Sequence, residues 1–213
     1  MTAAPRVLLA DDHALIRAAF ASLLQPRFDV VGAVADGRAL LQEAPRLRPD
    51  VIVADVSMPL LNGLDACQQL RPLLPATRWV FVTVNEDADL ALEAFRLGAS
   101  GYLLKHSAVE ELFTALETVL RGGRHLTPLI AKGASLATFL ATARHEHADD
   151  LTPRQRQVLQ LLAEGRPMKE AAHILGVTER TIAFHKYEIM HRLHVKSTAA
   201  LVQHAIRLGL IRP

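Results

Sequence analysis

The run Val51-Ile52-Val53-Ala54, closed by Asp55, constrains the fold more than any other stretch of this chain. Apolar, largely β-branched and bounded by charge at both ends, it reads as a strand buried on both faces. Such strands belong to parallel sheets covered by helices, where ligands bind outside the carboxyl ends of the strands. A carboxylate placed there is costly unless a cation or a row of donors meets it. The partners of Asp55 must therefore come from other strand ends.

The flanking sequence supplies them in order. Arg6 to Ala10 predicts a first buried strand, ending in the adjacent acids Asp11 and Asp12. Leu15 to Leu24 has the apolar spacing of an amphipathic helix. Asp29 to Ala35 predicts a second strand, and Gly37 to Arg46 a helix stopped before Pro49. The Asp50 to Asp55 strand follows, and Asn62-Gly63 marks the turn into a helix ending near Pro72, with Gly63 expected at a positive φ. Trp79 to Thr83, Asp87 to Leu97, Gly101 to Lys105 and Val109 to Arg121 continue as strand, helix, strand, helix. Five strands alternating with five helices predict an α/β fold, a flavodoxin-like doubly wound five-stranded parallel sheet.

In that fold Asp11, Asp12, Asp55, Thr83 and Lys105 all reach one edge of the sheet. Hard oxygen ligands such as these carboxylates hold Mg²⁺ and leave room for phosphoryl oxygens. An aspartate can accept a phosphoryl group covalently while a metal and a lysine offset the developing charge. Asp55 is the expected nucleophile, Asp11 and Asp12 the metal-side acids, Lys105 the counter-charge and Thr83 the hydroxyl that meets the new phosphoryl oxygen. Any one of these alone would read as a helix cap or an ordinary loop residue; their joint occurrence carries the expectation. His13, beside the acids, reads as a surface or loop histidine.

These positions, with Asp55-Val56-Ser57-Met58-Pro59, Asn62-Gly63-Leu64 and Gly98 to Lys105, resemble the receiver domain of two-component response regulators over Arg6 to Arg121. The resemblance implies Mg²⁺-dependent phosphorylation of Asp55 by a sensor histidine kinase. It also implies a switch in which Thr83 moves toward the phosphate and Tyr102 changes rotamer. Two positions depart from the common pattern: His106 follows the lysine where many receivers have proline, and Val84-Asn85 follows Thr83 in place of the smallest residues.

Charge divides the chain. Residues 1 to 126 hold 12 Lys and Arg against 15 Asp and Glu, whereas residues 151 to 213 hold 10 against 4, so only the second part is expected to meet a polyanion. The single cysteine, Cys67, excludes an internal disulfide and a cysteine zinc site and reads as a buried apolar side chain. The opening residues lack the apolar stretch of a signal peptide, and no run approaches the about 20 apolar residues of a spanning helix. A cytoplasmic protein with no membrane partner is expected.

Gly122-Gly123 ends the first domain, expected over residues 1–122. Residues 123–150 read as a linker with a helix from about Pro128 to Arg144, followed by the polar run His145-Glu146-His147-Ala148-Asp149-Asp150. Residues 151–213 form the second expected domain, small and all-α. Its helices are predicted over Arg154 to Ala163, Met168 to Leu175, Glu179 to Leu193 and Ser197 to Leu208, with Thr152 as N-cap and Pro153 at the first helical position. The Gly176-Val177-Thr178 turn between the second and third is a helix-turn-helix pattern.

Leu151-Thr152-Pro153-Arg154, Lys169-Glu170-Ala171-Ala172, Leu175-Gly176-Val177, Thr181-Ile182, His185 and Ala200-Leu201-Val202 are similar to the output domain of the LuxR or NarL class, over about Leu151 to Ile211. By that resemblance Glu179 to Leu193 is the recognition helix, with Ala183, Phe184 and Tyr187 facing the groove and Lys186 beside them. Lys169, Arg180, Arg192 and Lys196 are expected near phosphates, and the fourth helix at a homodimer surface. Ala183 and Phe184 offer contact with thymine methyls rather than hydrogen bonds. Gln155 and Gln157 stand where acids are common, a change expected to affect packing or interdomain contact.

The combined reading is a phosphorylation-controlled, DNA-binding transcriptional regulator of the NarL/FixJ type, in which the receiver hides the recognition helix until Asp55 is phosphorylated. The sequence also admits two other readings: a regulator whose receiver is only a protein-binding module, and an enzyme turning over a small substrate through an aspartyl phosphate.

Overall fold

A computed structural model of the chain describes residues 3–141 and 151–212. Its first part alternates β1 (Arg6–Ala10), α1 (Ala14–Leu24), β2 (Asp29–Val34), α2 (Gly37–Leu47), β3 (Val51–Ala54), α3 (Gly63–Leu70), β4 (Arg78–Thr83), α4 (Ala88–Leu97), β5 (Gly101–Leu104) and α5 (Ala108–Leu120). A short β6 (His125–Leu126) and α6 (Leu136–Ala141) follow, then four helices, α7 (Pro153–Ala163), α8 (Met168–Leu175), α9 (Glu179–Arg192) and α10 (Thr198–Arg207).

The strands form one parallel sheet in the order β2-β1-β3-β4-β5-β6. Alternation along β4 shows why both faces need cover: Trp79 and Phe81 enter one apolar cluster with α2, α3 and α4, while Val80 and Val82 enter another with α1 and α5. The sheet has six strands rather than the five expected. β6 has only two residues, too few for a periodic signal, and side chains hold it in place. Thr127 Oγ1 accepts from the Leu104 amide at 3.2 Å and donates to Glu111 at 2.9 Å, and His125 meets the same carboxylate at 3.1 Å.

The helix expected from about Pro128 to Arg144 starts only at Leu136. The turns before it bury Ile130 and Ala131, and Phe139 of α6 is buried with them in the first cluster. The run His145 to Asp150 lies outside the described residues, as does the expected helix end at Arg144.

Gly63 corrects a second expectation. It opens α3 without a positive φ. What requires glycine is proximity, since a Cβ there would fall 2.2 Å from the Asp55 carbonyl oxygen. Cys67 is buried as expected, and burial pushes its thiol up to about 12.

In the second part, Thr152 and Gln155 cap α7 reciprocally, at 3.2 Å and 2.9 Å. Gly176, at φ +64, ends α8, and Thr178 caps α9. Val158, Leu161, Ala171, Ile182, Ile189 and Leu201 bring the four helices around one core. Among the described residues, no helix is long and apolar enough to cross a membrane.

Candidate functional site

The ends of β1, β3, β4 and β5 meet at one edge of the sheet. Ladder bonds continue just past the strands: the Asp55 amide donates to Ala10 O at 2.7 Å and the Lys105 amide to Thr83 O at 2.7 Å. These bonds fix the backbones that carry Asp11, Asp55 and Lys105 side by side. Lys105 Nζ bridges Asp11 Oδ2 at 2.6 Å and Asp55 Oδ2 at 2.7 Å, with all three side chains nearly excluded from solvent. The amide of Ser57 donates to Asp55 Oδ1 at 3.2 Å.

Thr83 ends β4 at the same edge and is buried, its hydroxyl oxygen accepting from the Asn85 amide at 3.2 Å. Tyr102 is fully buried, and its hydroxyl donates to Asn85 O at 3.4 Å. Burial pushes the Tyr102 phenol up, reinforced by Asp87 and Asp55. The peptide bond between Lys105 and His106 is trans.

Burial also pushes the Asp55 carboxyl above the usual carboxylate range, opposed by Lys105 and by Arg212 and reinforced by Asp11. Single oxygens or ring nitrogens of Asp11, Asp12, His13 and Asp55 all lie within 4.8 Å of one another. The three carboxylates of this set are hard oxygen donors and fit a small divalent cation. His13 is exposed but not idle: its amide donates to Asp11 Oδ1 at 2.8 Å, and its ring Nδ1 lies 2.9 Å from Asp12 Oδ1.

The structure brings together every residue expected at the sheet edge, and adds Arg212, which sequence reading missed. Arg212 follows α10 and crosses from the helical part into the acidic cluster. Its Nη2 donates to Asp12 Oδ1 at 3.0 Å, to Ser57 O at 3.0 Å and to Asp55 Oδ2. No motif marks an arginine beyond the last helix, so no local signal could have found it.

Two residues of α7 and its C-cap, Glu164, were also missed. Arg156 Nε pairs with Asp65 at 3.1 Å and its Nη1 with Glu93 at 3.2 Å. Gln160, with no exposed surface, accepts from the Asn62 amide at 2.9 Å and donates to Met58 O at 2.8 Å. Glu164 accepts from the Leu60 amide at 3.0 Å. Leu60 adopts φ +66, uncommon for a residue with a side chain, and packs against the second part's core. A partial signal did exist here: residues 156, 160 and 164 repeat at four, which puts three polar side chains on one face of the helix and its C-cap.

This docking corrects the expected closed form. The receiver-like part covers α7 and the segment after α10, leaving Ala183, Phe184 and Tyr187 of α9 in solvent, with Phe184 60% and Tyr187 69% exposed. Lys169, Arg180, Arg192 and Lys196 are exposed as well, and Lys186 is half-buried. Gln155 and Gln157 sit buried within α7, the first as a cap and the second accepting from Arg154 at 3.2 Å, so the hydrogen bonds they make lie within the helix and its cap.

Residues 7–117 match the response regulator receiver domain, and residues 149–205 match the bacterial regulatory proteins of the luxR family. The oxygen regulatory protein NreC of Staphylococcus carnosus is 32% identical over 216 residues, covering 97% of this chain and 99% of that protein. The transcriptional regulatory protein MctR of Rhizobium johnstonii is 31% identical, covering 97% and 95%. Among solved structures, RcsB of Salmonella enterica serovar Typhimurium, bound to promoter P1flhDC in the presence of the phosphomimetic BeF3⁻, is 26% identical with a TM-score of 0.63, covering 95% of this chain and 98% of that one.

Proposed function

From the membership of this chain in the two-component response regulators, NarL/FixJ type, with a receiver and a LuxR-type DNA-binding domain, we propose that phosphorylation of Asp55 governs its binding to DNA. The observation that carries this reading is the Lys105 bridge between two buried carboxylates at the sheet edge, with Thr83 beside it.

The donor is a phosphohistidine of a sensor histidine kinase. An Asp55 carboxylate oxygen attacks phosphorus, the phosphorus–nitrogen bond breaks, and its electron pair leaves with the imidazole, giving an acyl phosphate. Lys105 is already in contact with the attacking carboxylate and stays as counter-charge to the phosphoryl oxygens. Thr83 turns its hydroxyl toward one of those oxygens, and Tyr102, whose hydroxyl is bonded to the loop after Thr83, registers the change. Asp11, Asp12 and Asp55 would hold Mg²⁺, which supplies positive charge that offsets charge on the transferring group. The chemistry is a single self-modification, not turnover of a small substrate, a reading supported by relatives that carry regulator names.

On the DNA side, the exposed α9 surface enters the major groove with Ala183, Phe184 and Tyr187, and Lys186 lies at its flank. Lys169, Arg180, Arg192 and Lys196 neutralise phosphates and set the register of the helix. The α10 surface joins two copies on DNA. The charge contrast between the two parts supports these roles, and a DNA partner implies a cytoplasmic location.

Labelling with a small-molecule phosphodonor and Mg²⁺ tests the assignment. Base-labile phosphate should map to the peptide bearing Asp55 and vanish in Asp55→Asn; label that persists in the variant would remove Asp55 from the role.

A further inference from the structure

Arg212 and a divalent cation would need the same atoms. The guanidinium donates to Asp12 Oδ1, Asp55 Oδ2 and the Ser57 carbonyl oxygen. Two carboxylates and a backbone carbonyl are hard oxygen ligands of the kind that hold Mg²⁺. Nη1 extends the contact to both His13 ring nitrogens, at 3.0 Å and 3.1 Å.

The arginine is held from behind. Leu210, two residues earlier, is buried in the core of the DNA-binding domain, and Gly209 turns the chain at φ +65 against Leu90 of α4. The side chain therefore enters the acidic cluster only when the domain is docked. Docking in turn is held by Gln160 on Asn62 and Met58, Glu164 on Leu60, and Arg156 on Asp65 and Glu93.

Three clustered carboxylates need more positive charge than Lys105 alone supplies. We propose that Arg212 is an internal competitor at the phosphoacceptor site, standing where a divalent cation would bind and so tying metal binding and phosphorylation to release of the DNA-binding domain. The proposal rests on the reading of Asp55 as a metal-assisted phosphoacceptor. Its consequence is reciprocal: if docking excludes the cation, the cation weakens docking by the same factor.

The test measures Mg²⁺ affinity by calorimetry on the full chain, for wild type, Arg212→Gln and Arg212→Lys, alongside the radius of gyration by X-ray scattering. If the docked form makes up about nine-tenths of the wild type, Arg212→Gln should bind Mg²⁺ ~10-fold more tightly, because apparent affinity scales with the competent fraction. Arg212→Lys, with a smaller cation and no planar fork, should fall between the two. Mg²⁺ with beryllium fluoride should expand the wild type, and Arg212→Gln should reach the same expansion at lower Mg²⁺. An arginine that only shaped the site would give the opposite sign, weaker Mg²⁺ binding on its removal. Equal Mg²⁺ affinity in all three proteins would also overturn the competition while leaving the phosphoacceptor reading intact. Failure of every variant to bind Mg²⁺ would overturn both, and so separates the two failures.

Discussion

Gln160 of α7 is locked onto Asn62 at the start of α3: its side-chain oxygen accepts from the Asn62 amide at 2.9 Å and from Asn62 Nδ2 at 3.1 Å. Asn62 also caps α3 through the Asp65 amide, 2.9 Å away, and follows the loop that carries Asp55. The contact between domains is thus built directly onto the loop that follows Asp55.

Gln160→Ala should loosen the docked form without unfolding either domain. Leaving the buried Asn62 amide without its partner costs ~1–3 kcal/mol. Scattering should show a larger radius of gyration for the variant, with helix content by circular dichroism unchanged. A radius equal to that of the wild type would show that this bond contributes little to docking.

Gly63→Ala should damage the loop that carries Asp55. The added methyl would sit 2.2 Å from the Asp55 carbonyl oxygen and 3.1 Å from the Phe81 ring. Relief requires moving backbone, and overpacking of this kind typically costs ~1–3 kcal/mol. The variant should melt at lower temperature and bind beryllium fluoride more weakly; a wild-type melting curve would contradict the close approach.

Cys67 should be silent to thiol reagents at pH 8 in the folded protein and react only after unfolding. Its folded value, about 12, lies above the ordinary 9.0 because burial disfavours the thiolate. The folded state therefore keeps a proton that the unfolded state loses, so stability from this group is full below the unfolded value and declines as pH rises between the two. Cys67→Ala should flatten that alkaline decline, measured by denaturant melts across the range. Rapid labelling of native protein at pH 8 would show that the thiol is more accessible than its burial implies.

The α/β order and the sheet-edge constellation were legible because β1, β3, β4 and β5 are each a short apolar run that stops at a chemically distinct residue: Asp11, Asp55, Thr83 or Lys105. Parallel pairing then places those stops together without further information. The helix-turn-helix was legible through Gly176 and Thr178, which punctuate an otherwise continuous helical pattern. β6 was not, because two residues hold no period and the pairing depends on Thr127 reaching Leu104 and Glu111. Gly63 was legible as a required glycine, but for the wrong reason, since crowding by Asp55 is a tertiary fact. Docking through α7 was the largest gap. Arg156, Gln160 and Glu164 show a polar stripe, but its partners lie 63 to 104 residues away, and Arg212 finds Asp55 only once both domains are packed.

Whether the state of Asp55 governs DNA binding is decided by enrichment of genomic DNA fragments on the purified full chain with Mg²⁺, with and without beryllium fluoride, for wild type and Asp55→Ala. Discrete fragments should appear or strengthen with beryllium fluoride in the wild type and not respond to it in Asp55→Ala. Fragments bound equally in all four conditions would contradict this expectation, leaving a DNA-binding protein whose receiver does not control its output.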